Sequence, residues 1–138
     1  MSNIETVQGF LDLQYQGKID EAFASHADKN FSWIVGSRAN EELTKAIPWA
    51  GYNHKGLEGY KTLVSLLFGE YDAEVFEVHQ YHEVNDQVFA VGHFRFKHKE
   101  TGKIADSDFI GRFEMKQGKI AGGQFYENTH AVAAGRIK

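Results

Sequence analysis

AEVFEVHQYHEV at 73–84, QVFAVGHFRFKHK at 87–99, KIADSDFIGRFEMK at 103–116 and KIAGGQFYEN at 119–128 decide the fold. Each run is rich in β-branched and aromatic residues, the side chains that suit a pleated, half-buried surface. The joints carry turn residues: Asn85-Asp86, Glu100-Thr101-Gly102-Lys103 and Lys116-Gln117-Gly118-Lys119. Asn, Asp and Gly tolerate the positive φ of tight hairpins, so the stretch reads as one antiparallel meander of four strands. A sheet of that size curls, and the residues before it must cover one face.

Those residues read as helices with one short strand. Ser2 and Glu5 have the spacing of a capping box ahead of Ile4, Val7 and Leu11, which recur at helical period to a stop at Gly17. A second short helix runs over 19–25. Phe31, Trp33 and Val35 alternate in a strand over 30–35, and a polar loop with one helical turn at 40–44 follows. Beyond the only proline, Pro48, the stripe Leu57, Tyr60, Leu63, Val64, Leu67 and Phe68 predicts a helix over 57–68 that ends at Gly69. The segment 129–137 reads as a terminal helical turn or a loose end. Helices grouped before strands give an α+β class, with three N-terminal helices on the concave face of a strongly curved, mainly antiparallel sheet. No linker, repeat or low-complexity stretch divides the chain, so 1–138 is expected to be a single domain.

Composition narrows the function classes. At 138 residues the chain suits one domain with about two-thirds of its extended surface buried. Eleven Phe, six Tyr and two Trp make 14% aromatic, which either fills the core in place of Leu or lines a cavity. A net charge of −4 with scattered Lys and Arg argues against a nucleic-acid partner. The chain has no cysteine, hence no disulfide or thiolate metal site, and this fits a cytoplasmic protein. The start MSNIETVQGF lacks the pattern of a signal peptide, and no apolar run approaches membrane-spanning length.

Three local patterns carry a family resemblance. The first runs from Phe10 to Gly17 and on through Ala27-Asp28 to Phe31 and Trp33. The second is Pro48-Trp49-Ala50-Gly51, then Gly56 and the helix after it. The third is Phe113-Glu114-Met115-Lys116-Gln117-Gly118-Lys119-Ile120, ending in Phe125-Tyr126-Glu127-Asn128. In order and spacing the chain resembles the SnoaL-like branch of the nuclear transport factor 2-like superfamily, which also holds ketosteroid isomerases, polyketide cyclases and limonene epoxide hydrolase. The resemblance implies a cone-shaped α+β barrel, usually a homodimer, with an apolar pocket for a small hydrophobic or aromatic molecule. It does not imply one activity, because function belongs to the site and not to the fold: a cofactor-independent isomerase, cyclase or hydrolase, a non-catalytic ligand-binding protein and a dimerising scaffold domain are all compatible with it. The isomerase tyrosine, base and oxyanion-binding acid fall on Phe10, Ile34 and Gly111, so isomerase chemistry of that kind is not implied. The hydrolase's polar residues fall around Gly92 to Phe94 and near Gln124 or Phe125, and its pattern is not reproduced either.

Other groups are candidates for chemistry. His93 and Arg95 share a strand face with Phe89 and Val91. If that face lines the cone, His93 is a general acid/base and Arg95 holds an anionic oxygen; a register one residue away turns Phe94 and Phe96 inward instead. Glu127 sits where the family often places an acid, either a base in a dry pocket or a rim residue. Asp106 and Asp108 form a carboxylate pair or a solvated strand end. Trp33, Trp49, Phe10, Tyr126, Phe109 and Phe113 are the expected ligand-contacting residues, and His54 is expected to be exposed near the mouth. His79 and His82, three apart in a strand, face opposite sides and do not share a metal. No nucleotide-binding or nucleophile motif is present. The expected site therefore has His93, Arg95 and Glu127 as catalytic groups, without metal or cofactor.

Overall fold

The computed structural model describes all 138 residues. In chain order the elements are α1 (Asn3–Tyr15), α2 (Ile19–His26), β1 (Ala27–Val35), α3 (Glu41–Ala46), β2 (Asn53–Lys55), α4 (Gly56–Glu70), β3 (Tyr71–Val84), β4 (Gln87–His98), β5 (Ile104–Lys116), β6 (Lys119–Glu127) and α5 (Thr129–Gly135). The strands make one strongly curved six-stranded sheet in the order β2-β1-β6-β5-β4-β3, whose two edge strands do not meet. The meander over 73–128 is present as expected, and β1 adds to it in parallel alongside β6. No helix is long and apolar enough to cross a membrane.

Local chemistry explains most element ends. Ser2 Oγ accepts from the Glu5 N–H at 3.1 Å while the Ser2 N–H donates to Glu5 Oε1 at 2.9 Å, the reciprocal pair read from the sequence. Gln117 (φ 50°) and Gly118 (φ 78°) make the two-residue β5–β6 turn, both in the left-handed region that matches strand twist. Asn40 and Asn128 cap α3 and α5 through their side-chain oxygens. Helix α4 departs from expectation at its end. Gly69 stays helical, and the chain turns extended only at Tyr71, which is buried and stands edge-on to Trp49 at 6.3 Å.

Two aromatic layers form the core. Phe10, Phe23, Phe31 and Tyr60 pack together under the helices, with centroid separations of 4.8 to 6.1 Å. On the sheet, Phe94, Phe109 and Phe125 stack along the concave face. The aromatic surplus therefore serves both roles, core and cavity wall.

The β1–β6 joint depends on Gly122 and Gly123, whose φ values of 136° and 153° lie where side chains are strained. A Cβ on Gly123 would stand 1.8 Å from the Arg112 carbonyl oxygen, and one on Gly122 would stand 2.1 Å from that of Ser32. Neither backbone oxygen has room to retreat, because each lies in a neighbouring strand. Gly123→Ala is accordingly expected to cost about 3 kcal/mol or more of stability, read as a lower midpoint in urea unfolding.

Candidate functional site

Helices α1 and α4 stand off the concave face and leave a cavity of about 430 Å³ between helix and sheet. Nineteen of its 23 lining residues are hydrophobic, and the other four are Gly17, Gly111, Gln14 and Glu127. The wall is thus greasy, with one amide and one formal charge. The α4 stripe supplies Tyr60, Leu63, Val64, Leu67 and Phe68, as its periodicity anticipated. A second recess between α1 and β3 shares Leu11, Tyr15 and Phe76 with the cavity, and Tyr15 is exposed there.

Glu127 is the last residue of β6 and faces Phe109 across the β5–β6 ladder. Phe125, two residues earlier, points the same way, so the carboxyl emerges between two rings. The next residue fixes its position: the Asn128 N–H donates to Ser107 Oγ at 3.0 Å, and the Asn128 side chain caps α5. Burial alone pushes the Glu127 carboxyl up to about 7, with no cation or donor to offset it. The residue keeps part of its surface and lines the hollow.

At another point on the wall the Tyr60 hydroxyl donates to Gln14 Oε1 at 2.5 Å. Burial raises the phenol above its ordinary value, so it stays protonated. The wall nearest α5 is closed by Trp49 and Val132, with Tyr71 packed edge-on against Trp49. The Tyr71 hydroxyl donates to the Val132 carbonyl at 2.6 Å, and burial pushes that phenol up to about 12. Arg136 anchors the end of α5 by a two-point pair with Glu70 (2.7 and 3.1 Å) and lies 6.0 Å over the Trp49 ring. His98 Nδ1 accepts from the Glu100 and Thr101 N–H groups, which leaves Nε2–H to donate to Glu70 at 3.0 Å.

The expected site is only partly assembled. Trp33, Trp49, Phe109, Phe113 and Glu127 all line the cavity. His93 and Arg95 do not. Phe94 and Phe96 point inward and are buried, so period-two alternation sends His93 and Arg95 to the opposite, convex face. There Asp106 and Asp108 each stand 3.1 Å from an imidazole nitrogen of His93, and the bond to Asp108 leads in raising its pKa above the ordinary value. Arg95 pairs with Glu74 at 3.0 Å on the same outer face. The paired aspartates are therefore partners of His93 in solvent and not members of the cavity.

Three further placements differ from expectation. Tyr126 is exposed on the convex face and bonds Gln124, because a residue adjacent to an inward Glu127 must point outward. Phe10 lies in the core behind Phe31 and Tyr60 and does not reach the hollow. His54 is buried, not exposed: its Nε2–H donates to the Trp49 carbonyl at 2.7 Å, which holds the Trp49 loop, and burial lowers its pKa. The Gln14–Tyr60 pair leaves no sequence signal, because its partners lie 46 residues apart and Tyr60 passes for another apolar stripe position. No three His, Cys, Asp or Glu side chains converge in a metal-binding geometry.

Comparison with known proteins agrees with this architecture. An NTF2-like protein from Burkholderia thailandensis E264 superposes with a TM-score of 0.83 at 18% identity, covering 100% of this chain and 99% of its own. An NTF2-like protein from Burkholderia xenovorans LB400 gives 0.80 at 18% identity, over 98% and 95%. TerC, co-crystallised with polyporic acid, gives 0.77 at 20% identity, over 96% and 95%. No curated protein matches the sequence. Residues 7–122 match the model of the SnoaL-like domain, and on that match, borne out by the curved open sheet and its helical cover, the chain belongs to the SnoaL-like family.

Proposed function

We propose that the chain binds a small, mostly apolar or aromatic molecule in the cavity and that Glu127 moves a proton on it, as a cofactor-independent acid/base catalyst. The observation that carries this reading is a lone carboxyl, titrating near 7, set in a wall that is otherwise almost wholly hydrophobic. A group poised near the working pH serves as base and as acid with little bias toward either. One carboxyl that removes a proton and returns it to a neighbouring atom completes an isomerisation alone, whereas a cyclase or hydrolase needs a second polar group from the ligand or solvent. The solved relative TerC was crystallised with polyporic acid, which supports a small-molecule role for this fold.

A plain binding protein is the second reading, favoured by the absence of a second near-neutral group on the cavity wall. Glu127→Gln separates the two. As an enzyme, the variant loses kcat by about 100-fold or more over and above any change in KM, the size of contribution expected from a positioned general base. As a binding protein, it has no turnover to lose, and only the affinity for its ligand changes.

The same substitution has a second signature. The folded chain holds a proton on Glu127 up to about 7, while the unfolded carboxyl releases it near the ordinary value of 4.5. Between those values the native state binds more protons than the unfolded one, so Glu127 lowers stability progressively as pH rises, with the full effect above 7. Glu127→Gln is therefore expected to be more stable than the parent at pH 8 by roughly 3 kcal/mol, and nearly equal at pH 4. Urea unfolding at the two pH values checks this.

For the partner we propose a second copy of the chain on the convex face. Val91, Ile110 and Tyr126 pair in register across three strands, and Ile110 and Tyr126 are 42% and 44% exposed. The flanking charges are of both signs (Arg95 and Arg112; Asp106, Asp108 and Glu114), which suits a two-fold contact of the face with itself. Sedimentation at micromolar concentration is expected to show a dimer, and Ile110→Lys a monomer.

A further inference from the structure

Resting on the cavity as the ligand site, we propose that the polar group it selects is a protonated nitrogen: a small apolar or aromatic amine, held as its ammonium against the Glu127 carboxylate. Carboxylates and phosphates are excluded.

Charge is the first ground. Of the 23 lining residues Glu127 alone carries a formal charge, and none is Lys, Arg or His. An anion entering the hollow would lose its hydration, meet no counter-charge and face a carboxyl of its own sign. The one amide, Gln14, is neutral, and its oxygen already accepts the Tyr60 proton. Tyr60 from α4 lines this space as a protonated phenol. Arg136, on the far side of Trp49, is committed to Glu70 and to the Ala46 carbonyl at 2.8 Å. Nothing in the wall neutralises an anion.

The rings are the second ground. Phe109 stands across the ladder from Glu127 and Phe125 two residues before it, their centroids 4.9 Å apart. Trp33, Trp49 and Phe96 extend the aromatic lining. A ring face carries the negative part of its quadrupole, so an ammonium enclosed by rings and one carboxylate is held on several sides. A neutral hydroxyl of the same shape keeps the hydrogen bond to Glu127 but gains neither the charge-assisted part of it nor the attraction to the rings.

The third ground is the unspent carboxyl. Burial without a partner is what raises its pKa. An ammonium supplies the missing counter-charge, so binding restores the ionised form and grows stronger as pH rises through 7.

Calorimetry at pH 8 with three probes of one shape, 2-phenylethylamine, 2-phenylethanol and phenylacetate, tests this. Displacement of the neutral dye N-phenyl-1-naphthylamine reports cavity occupancy. The amine is expected to bind at least about tenfold tighter than the alcohol, the acid weakest, as a charged hydrogen bond outweighs a neutral one. Glu127→Gln is expected to bring amine and alcohol within about threefold of each other, and lowering the pH to 6 to weaken the amine alone. If alcohol or acid displaces the dye as well as the amine does, the amine assignment is overturned while the cavity stands as a ligand site. The assignment falls in the same way if the variant keeps the amine preference, or if the dye binds and no probe displaces it. Failure of both dye and probes to bind overturns the assignment and the ligand site together.

Discussion

The parallel contact between β1 and β6 is the joint on which the molecule turns. Every other strand pair is antiparallel, and the meander closes with hairpins that need no help from the N-terminal half. Only through β1 does that half enter the sheet, and it enters beside β6, which thereby becomes an interior strand. Close approach at Gly122 and Gly123 lets the two backbones meet, with the Trp33 ring lying where a Gly123 side chain would stand. Once β1 is docked, α1 and α2 before it and α4 after it cover the concave face. The hollow is what remains between large rings on the helices and large rings on the sheet. Because β6 is interior, the end of that strand opens into the hollow, and α5 folds over it.

That dependence explains what the sequence made legible. Hairpins, the Ser2–Glu5 cap and the α4 stripe are local, set by residues within a turn of one another. The three-residue β2 is not legible, because Asn53-His54-Lys55 has no alternation and is a strand only by pairing with Ser32 to Ile34. The parallel pairing of β1, as in Val35 with Phe125, joins residues far apart in the chain and leaves no trace in either segment. His54 looks polar and peripheral until the Trp49 carbonyl is brought to it.

The site was half legible for one reason, the phase of alternation. Residue types along β4 are compatible with either face inward, since Phe89 and Val91 match Phe94 and Phe96 in hydrophobicity. Packing settles the matter: Phe94 stacks on Phe96 at 4.4 Å and joins the Phe109–Phe125 row, which leaves the convex side to His93 and Arg95. The same rule forbids Tyr126 and Glu127 from sharing a site. Two of the residue types most often recruited for catalysis thus lie in solvent, bound to carboxylates, where pairing and not chemistry accounts for them. A sequence motif for His93 and Asp108 would look much the same in an active site.

Glu127 is different in kind. Polar groups elsewhere in the interior are matched: His54 to the Trp49 carbonyl, Tyr71 to Val132, Tyr60 to Gln14, and the Gln124 amide to the Gly36 carbonyl at 2.7 Å. No buried side-chain nitrogen or oxygen lacks a partner. Each of these bonds offsets the desolvation of its group and helps hold the fold. Glu127 offsets nothing, since burial is the sole influence on its titration. A residue chosen for stability alone would be apolar here, as Phe125 and Phe109 are beside it. The carboxyl lines the hollow, where a ligand would cover it. A destabilising group in an otherwise satisfied interior is best accounted for by what enters that space.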